Sequence, residues 1–352
     1  MEKRGIRFYS RLIAVIMITL GLFCFTAHRC EAQTGKAYVS TQDGTKMLIF
    51  SLTNHTLIKT IPIYTATPLG QVLPPNINDV IAVGNRIFMT VPGPEISAAG
   101  INELKVIDSR SDTVVATLKT GLTPSGLLEY KGRVYVVNRY ANSIQEIDPG
   151  TLKIVRTIPF APPKQIAMNN PLFMEIVNDK IYLPFPGGLE RPGVIQVIDL
   201  KTGAPLKTID FTSVSPSGPF AIKKVSDGKI YLGGIRSVAV LDTQTDKITK
   251  TIILSGRDIY VQSFTMSGGK VYAATGVSTV SVIDPRDDQF VTEIDIGNHD
   301  YASHLKADGA ALDNKVVIAD AGHGLKIIDT VKDRFVMTIA SDEPVGPIAI
   351  IP

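Results

Sequence analysis

The sequence predicts an all-β fold: a seven-bladed β-propeller with four-stranded blades, blade 1 being closed by the C-terminal strand. Three observations predict it. A short signature recurs seven times, at a mean period of about 46 residues. A second signature, of fixed internal spacing, follows every copy of the first. The two ends of the chain supply complementary parts of one repeat. A fixed period of this length is the mark of a repeat architecture, and four short strands per period is the mark of a propeller blade.

The first signature is a turn residue, then Lys or Arg, an aliphatic residue and usually Tyr. It reads Gly35-Lys36-Ala37-Tyr38, Asn85-Arg86-Ile87-Phe88, Gly132-Arg133-Val134-Tyr135 and Asp179-Lys180-Ile181-Tyr182. It continues as Gly228-Lys229-Ile230-Tyr231, Gly269-Lys270-Val271-Tyr272 and Asn314-Lys315-Val316-Val317. Val, Ile and Tyr between Gly, Asn and Asp are strand residues between turn residues. The basic residue recurs once per repeat at a strand start and reads as a solvated charge with no ligand.

The second signature is an apolar stretch ending in Asp, at Asp108, Asp148, Asp199, Asp242, Asp284 and Asp329, with Ser51 in that place in the first repeat. Nine residues later stands Thr60, Thr117, Thr157, Thr208, Thr251, Glu293 or Thr338. Random apolar runs would not hold that spacing. Each repeat opens on a further apolar piece, as in Phe220-Ala221-Ile222 after Gly218-Pro219. No stretch keeps a helical period. A lone four-stranded blade would expose two apolar faces, so the blades pack face to face and the ring closes. The first repeat lacks its opening strand, whereas Ile348–Ile351 forms an opening strand without a repeat behind it. Pairing of Ile348–Ile351 with Lys36–Ser40 is therefore expected to complete blade 1 and remove an exposed edge.

The chain has 352 residues, no Trp and two Cys, at Cys24 and Cys30. Lys3, Arg4, Arg7 and Arg11 precede an apolar run from Leu12 to Phe25, and Cys30-Glu31-Ala32 offers a small-x-small cleavage site. The run is short for a bilayer span. Residues 1–32 thus read as a secretory signal peptide cleaved near Ala32, and residues 33–352 as the propeller, with a periplasmic or secreted location and no stable membrane span after cleavage. Removing 1–32 leaves equal numbers of basic and acidic residues and no Cys. The basic balance of the whole chain then belongs to the signal, and thiol chemistry is excluded from the mature protein.

The repeats resemble those of the YVTN (YncE-like) seven-bladed propellers, whose pattern runs Gly-Lys-x-Val-Tyr-Val-x-Asn, then Val-x-Val-Ile-Asp, then a Thr-Ile strand. Tyr135-Val136-Val137-Asn138 is a near copy, and Tyr231-Leu232-Gly233-Gly234 departs from it. The resemblance covers about 33–352 and implies the fold. For function it implies little, since propellers host many activities.

Connection lengths pick out a functional face. The turn before each Tyr strand is short, as in Asn178-Asp179 and Gly268-Gly269, and the link behind each Asp is fixed by the spacing of nine. These two connections lie on one face of an up-and-down blade. The other two vary in length and project from the opposite face, where loops carry function. That variable face holds Arg139 and Tyr140, the Pro/Gly-rich insertion with Glu190 and Arg191, Arg236, Arg257 and Tyr301 as ligand-binding candidates. Arg with Tyr can hold carboxylates, phosphates or stacked bases. His299, His304 and His323 fall on the same face and make the candidate metal cluster, since neutral imidazole with carboxylate suits a transition metal. His55 sits in a fixed turn on the other face, exposed.

No phosphate-binding loop, nucleophile elbow or His-Glu-x-x-His occurs. The reading that follows is a monomeric, exported binding scaffold for a protein or small-molecule ligand, not an enzyme. One alternative is a hydrolase or lyase using the His cluster with or without metal. Another is a nucleic-acid or polyanion binder, which the zero mature charge disfavours.

Overall fold

In the computed structural model, residues 35–64, 77–92, 101–163, 171–187, 193–215, 217–255, 260–275, 279–297, 308–320 and 324–352 are described. The N-terminal segment read as a signal lies outside them. The described residues form seven separate four-stranded antiparallel sheets. In blade 1, Lys36–Thr41, Lys46–Ser51 and Thr56–Pro62 follow an inner strand that comes from the other end of the chain, Val345–Ile351. Tyr38 pairs with Ala349 and Val39 with Ile348, so the ring closes as the two chain ends require. The inner strands of blades 2 to 7 are Val80–Val83, Pro124–Tyr130, Glu175–Val177, Ala221–Ser226, Val261–Ser267 and Asp308–Leu312.

The core is not one mass but seven wedges, each between neighbouring blades. Tyr38, Met47 and Ile49 of blade 1 meet Ile87, Met89 and Ile107 of blade 2. The last wedge joins Val317, Leu325 and Ile327 of blade 7 to Val39, Phe50 and Ile348 of blade 1. Every blade thus buries both faces, as its alternation of apolar residues demands. A fully buried side chain such as Phe50 or Leu232 contributes about 1.5–3 kcal/mol.

The spacing of nine has a physical cause. In all seven blades the pairing of third and outer strands slips by one residue, as between Val106 and Ile107 or between Val240 and Leu241. A β-bulge of one extra residue at a constant place fixes the count from Asp to Thr. The Asp itself closes the turn. Oδ1 of Asp242 accepts from the amides of Gln244 (3.0 Å) and Thr245 (2.7 Å), and Oδ1 of Asp148 from those of Gly150 (2.8 Å) and Thr151 (2.9 Å). Ser51 Oγ does the same for the Asn54 amide in blade 1. These are Asx and Ser turns that local sequence alone can make.

The basic residue of the first signature is a correction to the solvated reading. Lys36, Lys180, Lys229 and Lys270 each reach the next blade and pair with Asp112, Asp246, Asp288 and Asp333 there. The Tyr two residues on joins the same carboxylate: Tyr182 donates to Asp246 at 2.6 Å, Tyr231 to Asp288 at 2.5 Å and Tyr272 to Asp333 at 2.6 Å, with Tyr38 on Asp112 likewise. Burial, then the bond to the carboxylate, pushes all four phenols far above their ordinary range. Each Asp sits in the left-handed backbone region, φ 47–58°, which Asp tolerates better than most residues. Where blade 2 carries Phe88 in place of Tyr, Leu152 packs in the place of the Asp. The charges were read as free because their partners stand on another blade.

Candidate functional site

The seven inner strands surround a cavity of about 540 Å³. Its lining stops short of the closing residues of each inner strand: Asp79 to Ala82 but not Val83, Leu127 and Leu128 but not Tyr130, Phe220 to Lys223 but not Ser226, Asp308 to Ala310 but not Leu312. Each inner strand runs from the variable face to the tight turn on the fixed face. The cavity therefore occupies the variable-face half of the central channel, on the side the loop lengths pointed to.

The wall is built by strand register. Ile81, Leu128, Glu175, Lys223, Ala310 and Ala349 each lie opposite the second-strand residue that carries the Tyr signature. Four are apolar, while blades 4 and 5 place a carboxylate and an ammonium side by side. Glu175 is buried, 5% exposed. Burial raises its pKa, and Lys223, with the backbone amides of Lys224 and Ile176, pulls it back down. Nearer the mouth, Asp79 accepts from its own neighbour Val80 (2.8 Å) and from the Leu127 amide of the next inner strand (2.7 Å). Asp308 repeats this with Gly309 (2.8 Å) and Ile348 (3.2 Å). Each carboxylate thus braces two blades and is held at the wall. Phe173, Phe220, Tyr260 and Phe264 give blades 4 to 6 an aromatic side. The Phe220 and Tyr260 rings meet edge to face, centroids 4.8 Å apart.

Of the candidates read from sequence, Arg139 and Tyr140 lie on the connection between second and third strands of blade 3, on the variable face. The guanidinium stands 5.5 Å from the Tyr140 ring centre. Around them Thr123 Oγ1, Asn138 Oδ1 and Asn142 Oδ1 are buried without a protein hydrogen-bond partner. Such groups can accept from a ligand or water. Arg236 lies on the matching connection of blade 5, at φ 51°, with its carbonyl accepting from the Leu254 amide. Neither Arg139, Tyr140 nor Arg236 lines the channel cavity. Glu190, Arg191, Arg257, Tyr301, His299, His304 and His323 lie outside the described residues. Among the described residues no group of three or more His, Cys, Asp or Glu side chains is placed to hold a metal ion. No helix among them is long and apolar enough to cross a membrane.

Sequence reading missed Asp79, Glu175, Lys223 and Asp308. Their signal was available as a departure from the repeat: charged residues in opening strands that are elsewhere apolar or small.

These features define the class: a seven-bladed β-propeller with a channel cavity on its variable-loop face. No protein-family model matches the chain, and no curated protein sequence matches it. Among solved structures it is similar to AztD from Citrobacter koseri, with a TM-score of 0.59 and 11% identity over 90% of this chain and 97% of that one. The apo form of AztD from the same organism gives a TM-score of 0.60 and 12% identity over 90% and 97%. The computationally designed Ika8 protein gives 0.58 and 14% identity, covering 90% of each chain. At such identities the likeness is one of fold alone.

Proposed function

We propose that this propeller is a binding scaffold, not an enzyme, and that its ligand is a small molecule seated in the variable-face half of the channel. The observation that carries this is the 540 Å³ cavity lined by all seven inner strands, mostly apolar with a few placed polar groups. Concave, largely apolar and preformed is the usual character of a small-molecule site. A concave volume of this size favours a small ligand over a protein partner, which needs a broad surface. Export and cleavage near Ala32 belong to the same reading and rest on the basic and apolar N-terminal segment; sequencing the mature N-terminus tests them, with Gln33 expected first. The YVTN-type assignment rests on the repeat signatures.

The site is tested with a panel of small probes graded in size, followed by thermal unfolding. Wild-type chain is compared with Ala310→Trp, whose indole fills part of the cavity. A ligand at a hundred times its Kd stabilises by about 2.7 kcal/mol. Probes that stabilise wild type and not Ala310→Trp support the channel site. A panel that stabilises neither, or both alike, rejects it.

A further inference from the structure

Resting on that binding reading, we propose that Lys223 anchors the channel ligand, and that the ligand is a neutral molecule with a carbonyl-type oxygen on an apolar or aromatic body. The hydrogen bonding of the wall carries this. The ionisable side chains among the described lining residues are Asp79, Glu175, Asp308 and Lys223. The carboxylates are engaged by the protein itself. Asp79 accepts from the amides of Val80 and Leu127, Asp308 from those of Gly309 and Ile348, and Glu175 from those of Lys224 and Ile176. Lys223 differs. Glu175 attracts its charge, yet among the described residues the ammonium has neither a hydrogen bond nor an ion pair. The next residue, Lys224, pairs with Asp227 at 2.6 Å, and the lysines of the blade joints each hold an Asp. Lys223 thus stands half-buried in the cavity wall with its N–H donors unspent. The packing of the blade does not ask for a lysine there. The matching inner-strand residue, opposite the Tyr signature, is Ile81, Leu128, Ala310 or Ala349 in other blades.

An unspent ammonium in an apolar cavity selects among ligands. Before a ligand binds, solvent serves the ammonium. A ligand that is apolar throughout displaces that solvent and strands a charged donor, which costs affinity. A ligand with an acceptor oxygen restores the bond and still lays its apolar body against Phe173, Phe220, Tyr260 and Phe264. Glu175 decides which oxygen. A ligand carboxylate at Lys223 would bring like charge beside Glu175, whereas a carbonyl takes the same bond without that repulsion.

The test uses three probes that share a phenyl body: 4-phenyl-2-butanone, its near-isostere 3-phenylpropionate, and butylbenzene. Each is measured against the purified full chain by equilibrium dialysis in sealed cells. The ketone is expected to bind tighter than the propionate. In Lys223→Met the ratio of ketone to butylbenzene affinity is expected to fall roughly tenfold or more, the size of one hydrogen bond to a charged group. Lys223→Arg keeps a charged donor and is expected to keep most of the ratio. A second measurement needs no variant. Saturating ketone should slow acetylation of Lys223 by acetic anhydride and leave Lys224 unchanged, as read by peptide mass. A ratio that survives in Lys223→Met, or an unaltered Lys223 acetylation rate, overturns the anchoring role while leaving the channel site standing. Tighter binding of the propionate overturns the neutral class. Failure of all three probes to bind overturns the proposal as well, and the graded panel with Ala310→Trp then decides the site separately.

Discussion

Replacing Tyr231 by Phe removes one hydroxyl and nothing else from the joint between blades 5 and 6. That hydroxyl donates to Asp288 at 2.5 Å, from a side chain with no solvent exposure. A hydrogen bond to a charged group is worth about 1.5–3 kcal/mol. Asp288 keeps Lys229 at 2.7 Å after the change, so the carboxylate is not orphaned and the cost falls near the lower end, about 1.5–2 kcal/mol. Asp288→Leu costs more, about 2–4 kcal/mol, because it strands a buried phenol and an ammonium together. The double variant reproduces a joint the protein already contains, Phe88 against Leu152 between blades 2 and 3. There the neighbouring Arg86 donates to backbone carbonyls of Pro149 and Gly150 instead of to a carboxylate. If Tyr and Asp act as one unit, the double should cost less than the two singles summed, by about 1.5 kcal/mol. Urea unfolding followed by near-ultraviolet circular dichroism measures all four corners of the cycle. For a chain of this size, 2 kcal/mol corresponds to a Tm change of about 3 °C. Additivity to within about 0.5 kcal/mol would refute the claim that the Tyr–Asp contact joins the blades.

Four further outcomes are expected. The phenols of Tyr38, Tyr182, Tyr231 and Tyr272 titrate above their ordinary value of 10 in the folded chain, so their stabilising effect is complete below about pH 10 and is lost as pH rises past it. Phenolate absorbance should show them ionising only together with unfolding; gradual ionisation in a chain that keeps its near-ultraviolet signal contradicts this. At the acid end, the Thr151 amide and then Arg133 hold Asp148 at about 2, and Arg286 holds Asp284 at about 2. Both are depressed, so their contribution is present above about pH 4 and fades between about pH 4 and 2. Arg286→Gln should return Asp284 towards 3.8, as followed by carboxyl NMR; an unmoved titration would show that the guanidinium is not the cause. A chain ending at Pro344 loses the inner strand of blade 1 and the buried Val345, Ile348 and Ala349. It should lose its native near-ultraviolet spectrum and regain it on addition of a Val345–Pro352 peptide; a native urea midpoint in the truncated chain counts against the clasp. Finally, Phe88→Tyr with Leu152→Asp should install a fifth joint and raise the urea midpoint, whereas each change alone should lower it.

The repeat, the blade and the closure were legible in the sequence because they are local. Period-two alternation reports which faces are buried, Asx turns are made by an Asp and the amides just after it, and a constant bulge writes itself as a constant spacing. Even the clasp could be read, since a missing opening strand at one end and a spare one at the other have a single solution in a ring. What joins the blades was not read, because its members stand 57 to 74 residues apart and on different sheets. The replacement of Tyr and Asp by Phe88 and Leu152 carried that signal, but only the rotation from blade to blade says which turn a given Tyr will face. The channel is further still from local pattern. Asp79, Glu175, Lys223 and Asp308 come from four repeats, and each looks like an irregularity within its own. Only closure of the ring brings four irregularities around one cavity, because neighbouring inner strands approach one another at the axis and nowhere else along the chain.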